Sequence, residues 1–267
     1  MPATRGLGEL FEPGARVLFV HAHPDDETIS TGALIAELSA SGRACFVLTA
    51  TRGERGEVRA GVRVDDLTEL RLGEWGRACA ALGVAGHHFL GTPPARRPGV
   101  EPRRYHDSGM RWLDAAETLA GPATDAPADA LTAAPPSEVA ADIAAYARAV
   151  AAGWLVTYDA AGGYGHPDHV CLHEPTRAAA SELGVGCLEI VSQPRPAGDA
   201  APPPTAPTAT TAPTPAVTWL DLEPRRPTVA RALAAYASQL SVDGADIVHV
   251  GGQREPIQVR VGVRGCG

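Results

Sequence analysis

Val17-Leu18-Phe19-Val20-His21-Ala22-His23-Pro24-Asp25-Asp26-Glu27 is the stretch from which the rest of the chain is read. Its first half is a continuous apolar run, the pattern of a strand buried on both faces. Its second half crowds His23, Asp25, Asp26 and Glu27 together, and residues 28–38 then take up a helical apolar spacing. A strand that empties into a polar turn at a helix N-terminus sets those side chains at the carboxyl edge of a sheet, where open α/β sheets hold their ligands. His and Asp three residues apart suit zinc, and the adjacent carboxylate can serve as a base. Read blandly, the same turn is an acidic cap on free helix amides.

A second stretch decides between these readings: Val156-Thr157-Tyr158-Asp159-Ala160-Ala161-Gly162-Gly163-Tyr164-Gly165-His166-Pro167-Asp168-His169. Here too a strand-like run meets a glycine-rich turn, a His-Pro-Asp and a helix-like segment. Two such turns at two strand ends can supply three metal ligands and leave a position open for water.

Around these turns the apolar pattern alternates. Strands are expected over 16–22, 43–50, 86–90, 154–158, 186–192 and 217–222, and helices over 27–40, 64–82, 137–152, 169–183 and 224–240. Ser137 is the expected N-cap of the 137–152 helix, and Pro224 suits the first turn of the last one. Alternation of this kind predicts an α/β chain. It reads as one Rossmann-like domain over 1–267, with a mainly parallel sheet flanked by helices and the metal site at the carboxyl ends of the strands. Residues 194–216 are almost entirely Pro, Ala and Thr, and 121–136 are a weaker version of the same composition. Both are expected to be mobile surface insertions rather than boundaries.

All 23 basic residues are arginine, and the chain has neither lysine nor asparagine, a bias of base composition rather than of function. The net charge of −8 argues against nucleic acid or an anionic membrane as the main partner. The five cysteines form no C-x-x-C pair and are odd in number, so all five are expected as reduced thiols in a cytoplasmic protein. The first sixteen residues lack a signal-peptide pattern, and no apolar run approaches the ~18 residues of a membrane span.

The strings L-F-V-H-A-H-P-D-D-E over 18–27, G-E-x-G-E-V over 53–58, D-S-G-M over 107–110 and V-T-Y-D-x-x-G-G-Y-G-H-P-D-H-V over 156–170 together resemble one family. It is the LmbE-like (PIG-L) zinc-dependent N-deacetylases, and within it the enzymes that deacetylate N-acetylglucosaminyl-inositol for mycothiol. The resemblance covers 16–192, with a fainter echo over 231–239. It departs in the Pro/Thr/Ala segment and the shortened region that follows.

The resemblance implies a single Zn²⁺, or Fe²⁺ in its place, on His23, Asp26 and His169. It makes Asp25 the general base, since spacing alone does not separate two adjacent aspartates. His166 would stabilise the oxyanion or protonate the amine, Tyr164 would donate its hydroxyl to the carbonyl oxygen, and Asp168 would orient a histidine. Arg71 and Asp107, with Ser30 as a third, would hold the polyol of a small N-acetyl sugar. His21 and His173 are expected to be structural, and Glu27 a helix first-turn charge or a partner to the ligands. His87 and His88 point opposite ways on a strand and make no site, and Cys171 is expected to be inert. Two other enzymatic readings stay open: a mycothiol S-conjugate amidase, or an antibiotic-sugar deacetylase. A non-catalytic metal-dependent sugar-binding protein is the rival of another class, and the presence of Asp25, Tyr164 and His166 beside the ligands argues against it.

Overall fold

The computed structural model describes residues 6–62, 66–115, 117–192 and 216–266. The chain begins with α1 (Leu7–Leu10), β1 (Arg16–His21), α2 (Asp26–Ala40), β2 (Ala44–Thr49), α3 (Leu67–Leu82) and β3 (Gly86–Phe89). It continues through β4 (Met110–Trp112), β5 (Ala120–Pro122), α4 (Pro136–Ala149), β6 (Trp154–Tyr158), α5 (Gly162–Gly165), α6 (Pro167–Leu183) and β7 (Gly186–Ile190). The last elements are β8 (Thr218–Asp221), α7 (Arg226–Leu233), β9 (Leu240–Asp243), β10 (Asp246–His249), β11 (Arg254–Pro256) and β12 (Arg260–Gly265).

Every residue of β1 after Arg16 is buried, because both faces of this strand are covered. Val17 and Phe19 point into a layer shared with Leu34, Leu38, Trp75, Leu82 and Val229, from α2, α3 and α7. Leu18 and Val20 point into the opposite layer, with Val139, Ile143 and Leu172 from α4 and α6. The period of two along a strand makes one apolar run serve two cores.

The main sheet has the order β3-β2-β1-β6-β7-β12-β8. Its first five strands are parallel, while β12 pairs antiparallel with both β7 and β8. Connections leave β1 toward β2 on one side, and β6 toward β7 on the other. The carboxyl ends of β1 and β6 therefore face a crevice where strand order reverses, the usual ligand position in such sheets. The fold is single-domain α/β, as the alternation predicts. A separate three-stranded sheet, β11-β10-β9, and the β4-β5 hairpin flank that crevice. No helix among the described residues is long and apolar enough to cross a membrane.

Several expectations are corrected. Cys187 and Cys266 are joined by a disulfide, with their Cα atoms 5.4 Å apart, whereas Cys45, Cys79 and Cys171 are free. The antiparallel β7-β12 pairing sets the two side by side, with the Cys266 N–H donating to the Cys187 carbonyl. Within residues 121–136, residues 122–129 lie at the surface, whereas Leu131, in a 3-10 turn, is fully buried with Ala130 and packs in the layer of Leu18 and Leu172. Ser137 does not cap α4; Pro135 is the cap and Pro136 opens the helix, a position where a missing N–H costs nothing. The last helix is shorter than its spacing predicts. It is a 3-10 turn at Glu223–Arg225 followed by α7, because Tyr236 and Ser238 are drawn to buried carboxylates. The 194–216 segment lies outside the described residues except for Ala216.

Phe19 is fully buried at the centre of the sheet. Phe19→Ala is expected to destabilise the fold by about 3–5 kcal/mol, read as a lowered midpoint in chemical denaturation.

Candidate metal and catalytic centre

The turn after β1 is held in an unusual backbone shape. Asp25, the residue before α2, adopts φ 123°, a region L-residues rarely occupy, and its side chain makes no capping bond. Its carbonyl accepts from the N–H groups of Thr28 and Ile29, both at 2.9 Å, and its own N–H donates to Glu27 Oε2 at 3.2 Å. Glu27 is fully buried and also accepts from the Thr28 hydroxyl and, at 2.6 Å, from the Tyr236 hydroxyl. Burial pushes its carboxyl up to about 7. Gln239, three residues after Tyr236, donates to the Pro24 carbonyl at 3.1 Å. The strained residue is therefore locked from both sides, as strain at functional sites must be.

Inside the turn lies a cluster of imidazoles and carboxylates. His23 Nε2 is 3.1 Å from Asp168 Oδ2 and 3.7 Å from Asp107 Oδ1, while its Nδ1 is 3.2 Å from Asp26 Oδ2. Asp168 is fully buried at the start of α6 and also accepts from the Ser108 N–H at 3.0 Å and the Ser108 hydroxyl. His169 Nδ1 donates to the Gly162 carbonyl at 3.2 Å, which leaves Nε2 unprotonated in the neutral ring. That Nε2 is buried, has no hydrogen-bond partner, and faces Asp26 Oδ2 at 3.3 Å. A lone pair aimed at a carboxylate is what a cation between them would resolve.

His166 completes the cluster, its ring centroid 4.5 Å from that of His23 and 5.0 Å from that of His169. Its Nδ1 accepts from the Asp168 N–H at 3.2 Å. Ligand atoms of His23, His166 and His169 lie within 4.8 Å of one another, as do those of His23, Asp107 and Asp168. Burial opposes charge on His23, but Asp107, with Asp168 and Asp26, raises its pKa well above the usual imidazole range. Asp26 is held well below the usual carboxylate range by His169 and His23 despite its burial. Burial, with Asp26 and Glu27 beside it, lifts Asp25 well above that range. Burial and the two neighbouring histidines keep His166 neutral. Taken together, the carboxylates of this cluster call for a cation, and the donor set of two or three imidazoles with Asp26 fits a divalent metal.

The cluster forms the floor of a cavity of about 630 Å³. Arg71, from α3, is buried in its wall and donates to the Glu57 carbonyl at 3.2 Å. Gly53 and Gly56 cradle its guanidinium: a Cβ at either would come within 2.6 Å of it. The glycines of the 53–58 string thus make room for one arginine. Asp107 accepts from the Gly109 N–H at 2.8 Å and the Arg55 N–H at 3.2 Å. Ser30, on α2, and Tyr164 also line the cavity, and Tyr164 sits between Trp112 and His169, with ring centroids 5.7 and 5.4 Å away.

Residues 18–180 match the PIG-L family, described as GlcNAc-PI de-N-acetylase. The chain belongs to the PIG-L family. Over 190 residues, 69% of this chain and 50% of the relative, it is 46% identical to a 1D-myo-inositol 2-acetamido-2-deoxy-alpha-D-glucopyranoside deacetylase of Kineococcus radiotolerans. It is 44% identical over 176 residues, 62% of this chain and 50% of the relative, to a second protein of that name from Frankia casuarinae. The chain spans about half the length of these curated relatives. Its fold is similar to that in the crystal structure of a deacetylase–teicoplanin complex from the biosynthesis pathway of teicoplanin. The TM-score is 0.59 at 18% identity, over 95% of this chain and all of that one.

All of the cluster residues lie within the PIG-L match, but Tyr236, Gln239 and the β10–β11 wall do not. Four contributors escape the sequence patterns: Tyr158, Ser108, Glu27 as an anchor, and Tyr236. Tyr158 stacks on His169 at 4.2 Å, and its hydroxyl accepts from the Ala22 N–H at 3.0 Å. Only its place at the end of β6 hinted at this. Ser108 stood in the D-S-G-M string without an assigned role. His21, between the Tyr158 and Thr31 hydroxyls, and His173, 2.8 Å from Glu189, are engaged away from the cluster.

Removing the carboxylate behind His23 is a direct test of the cation reading. Asp168→Ala is expected to weaken binding of an added divalent transition metal by roughly 10–100-fold, read by competition with a chromogenic chelator.

Proposed function

We propose that this chain is a zinc-dependent N-deacetylase that hydrolyses the N-acetyl group of a glucosaminyl pseudodisaccharide, N-acetylglucosaminyl-inositol, releasing acetate. One observation carries the reading: the partnerless His169 Nε2 faces Asp26 and adjoins His23 at the floor of a sugar-sized cavity, beside an uncapped Asp25. The names of the relatives supply the substrate.

His23, Asp26 and His169 would hold the metal, one per chain. A zinc ion on such a donor set supplies Lewis-acid polarisation of the amide carbonyl and acidifies water. The remaining chemistry belongs to the chain. Asp25, raised in pKa by burial and its acidic neighbours, is matched to taking a proton from water and passing it to the leaving amine. Its carboxylate makes no capping bond to the helix amides. His166 accepts at Nδ1 from the Asp168 N–H, so in its neutral form the proton sits on Nε2. That N–H, with the Tyr164 hydroxyl, is the donor pair for the developing oxyanion. Arg71 and Asp107 read sugar hydroxyls as donor and acceptor, with Ser30 beside them. Asp168 holds His23 by Nε2 and so turns Nδ1 toward Asp26.

Asp25→Asn keeps size and shape but removes the proton acceptor. It is expected to retain the metal and lose kcat for acetate release by roughly 10²–10⁴, and to lose the low-pH limb of the rate profile. Loss of the metal would make Asp25 a ligand, and an undiminished kcat would move the base to His166.

A further inference from the structure

The far wall of the cavity comes from the β10–β11 hairpin, beyond the family match. β10 and β11 are joined by a tight turn: the His249 N–H donates to the Gln253 carbonyl and the Gly252 N–H to the His249 carbonyl, both at 2.9 Å. Gly252 takes φ +87°, and His249 Nε2 meets Glu255 Oε1 at 3.0 Å across the hairpin. This fixes Gln253 at the hairpin tip. Its carboxamide folds over Gly251, where a Cβ would lie 2.5 Å from Nε2 and 2.6 Å from Oε1. Glycine at 251 therefore leaves the amide its path.

That path ends on the opposite hairpin, where Gln253 Nε2 donates to Glu117 Oε2. Glu117 lies in the turn between β4 and β5 at φ +53°, with its N–H donating to the Asp114 carbonyl at 3.2 Å. The Asp114 carboxylate holds that turn, accepting from Thr118 N–H at 3.1 Å, Thr118 Oγ1 at 3.0 Å and Leu119 N–H at 2.8 Å. Glu117 and Gln253 both line the cavity. Two locally stiffened turns, far apart in sequence, are thus joined by one side-chain contact across the pocket walls. The volume they enclose, about 630 Å³, belongs to the small-ligand class of roughly 300–1,000 Å³.

We propose that the Gln253–Glu117 contact is a clasp that sets substrate specificity by size, admitting an N-acetylated sugar that carries one further compact ring and excluding bulky aglycones. The clasp rests on the deacetylase reading above. A compact two-ring sugar sits beneath the joined hairpins; a large aryl or peptidic aglycone requires them to part.

Acetate release is measured with N-acetylglucosaminyl-inositol and with an N-acetylglucosaminide bearing a bulky polycyclic aryl aglycone, for wild type, Gln253→Ala, Gly251→Val and Glu117→Gln. Gln253→Ala removes the donor, and Gly251→Val displaces the carboxamide without removing it. Each is expected to shift the kcat/KM ratio about tenfold toward the bulky substrate, the scale of a steric discrimination. Glu117→Gln retains an acceptor oxygen and is expected to keep the wild-type ratio. A ratio unmoved in both Gln253→Ala and Gly251→Val overturns the clasp while leaving the deacetylase reading intact. No acetate from either substrate with the metal-loaded wild type overturns the deacetylase reading, and the clasp falls with it.

Discussion

The carboxylate of Asp168 is the tie on which the centre depends. It is fully buried at the start of α6, yet it meets the loop after β3 through Ser108 and the turn after β1 through His23. Three segments that are remote in sequence converge on one charged group. A carboxylate excluded from water is tolerated only when its oxygens are satisfied, so the position of each segment is constrained by the others. The geometry of His23 follows, because occupation of Nε2 leaves Nδ1 as the atom that faces Asp26.

A second constraint stands behind the first. Asp25 occupies a backbone region that costs on the order of 1–3 kcal/mol, and the turn would relax without support. Support comes from Glu27, whose carboxyl accepts the Asp25 N–H on one side and the Tyr236 hydroxyl on the other. Gln239 adds a hold on Pro24. The segment around Tyr236 lies after the Pro/Thr/Ala stretch, beyond the residues that match the family model. Even so, it secures the backbone of the residue read as the base. The floor of the pocket and its outer wall are therefore one mechanical unit, built from both ends of the chain.

The sheet and its crevice were legible because β1 states its environment twice, as an unbroken apolar run and as a sudden change to His-Pro-Asp-Asp-Glu. The meeting of the two turns was legible because His-Pro-Asp recurs at two strand ends, and the structure brings His23, Asp26, His166, Asp168 and His169 into one cluster. Leu131 was not. One apolar residue among Pro, Ala and Asp is diluted by composition, although Leu131 is buried with Ala130 and Ala134 and packs with Leu172 of α6. The Cys187–Cys266 bond was hidden because its partners are separated by 79 residues, and only the β7-β12 register brings them together. The length of the last helix was misread because apolar spacing does not report that Tyr236 and Ser238 have buried carboxylates to meet. The Glu117–Gln253 pairing joins two turns whose proximity no local pattern encodes.

The placement of β12 bears on how the chain is made as well as on what it becomes. β8 is translated before β9, β10, β11 and β12, but its neighbour in the sheet is β12, which separates it from β7. During vectorial synthesis the parallel half, from β1 to β7, can assemble as it emerges. β8 must wait, its edge amides and carbonyls open, until β12 leaves the ribosome and threads in antiparallel fashion between the two strands. α7 and the Tyr236 segment, which follow β8, dock instead on α2 and α3, both made long before them. The turn that carries Asp25 therefore gains its Tyr236 brace only after the parallel half of the sheet has been made, together with the last apolar residues of the α2–α3 layer.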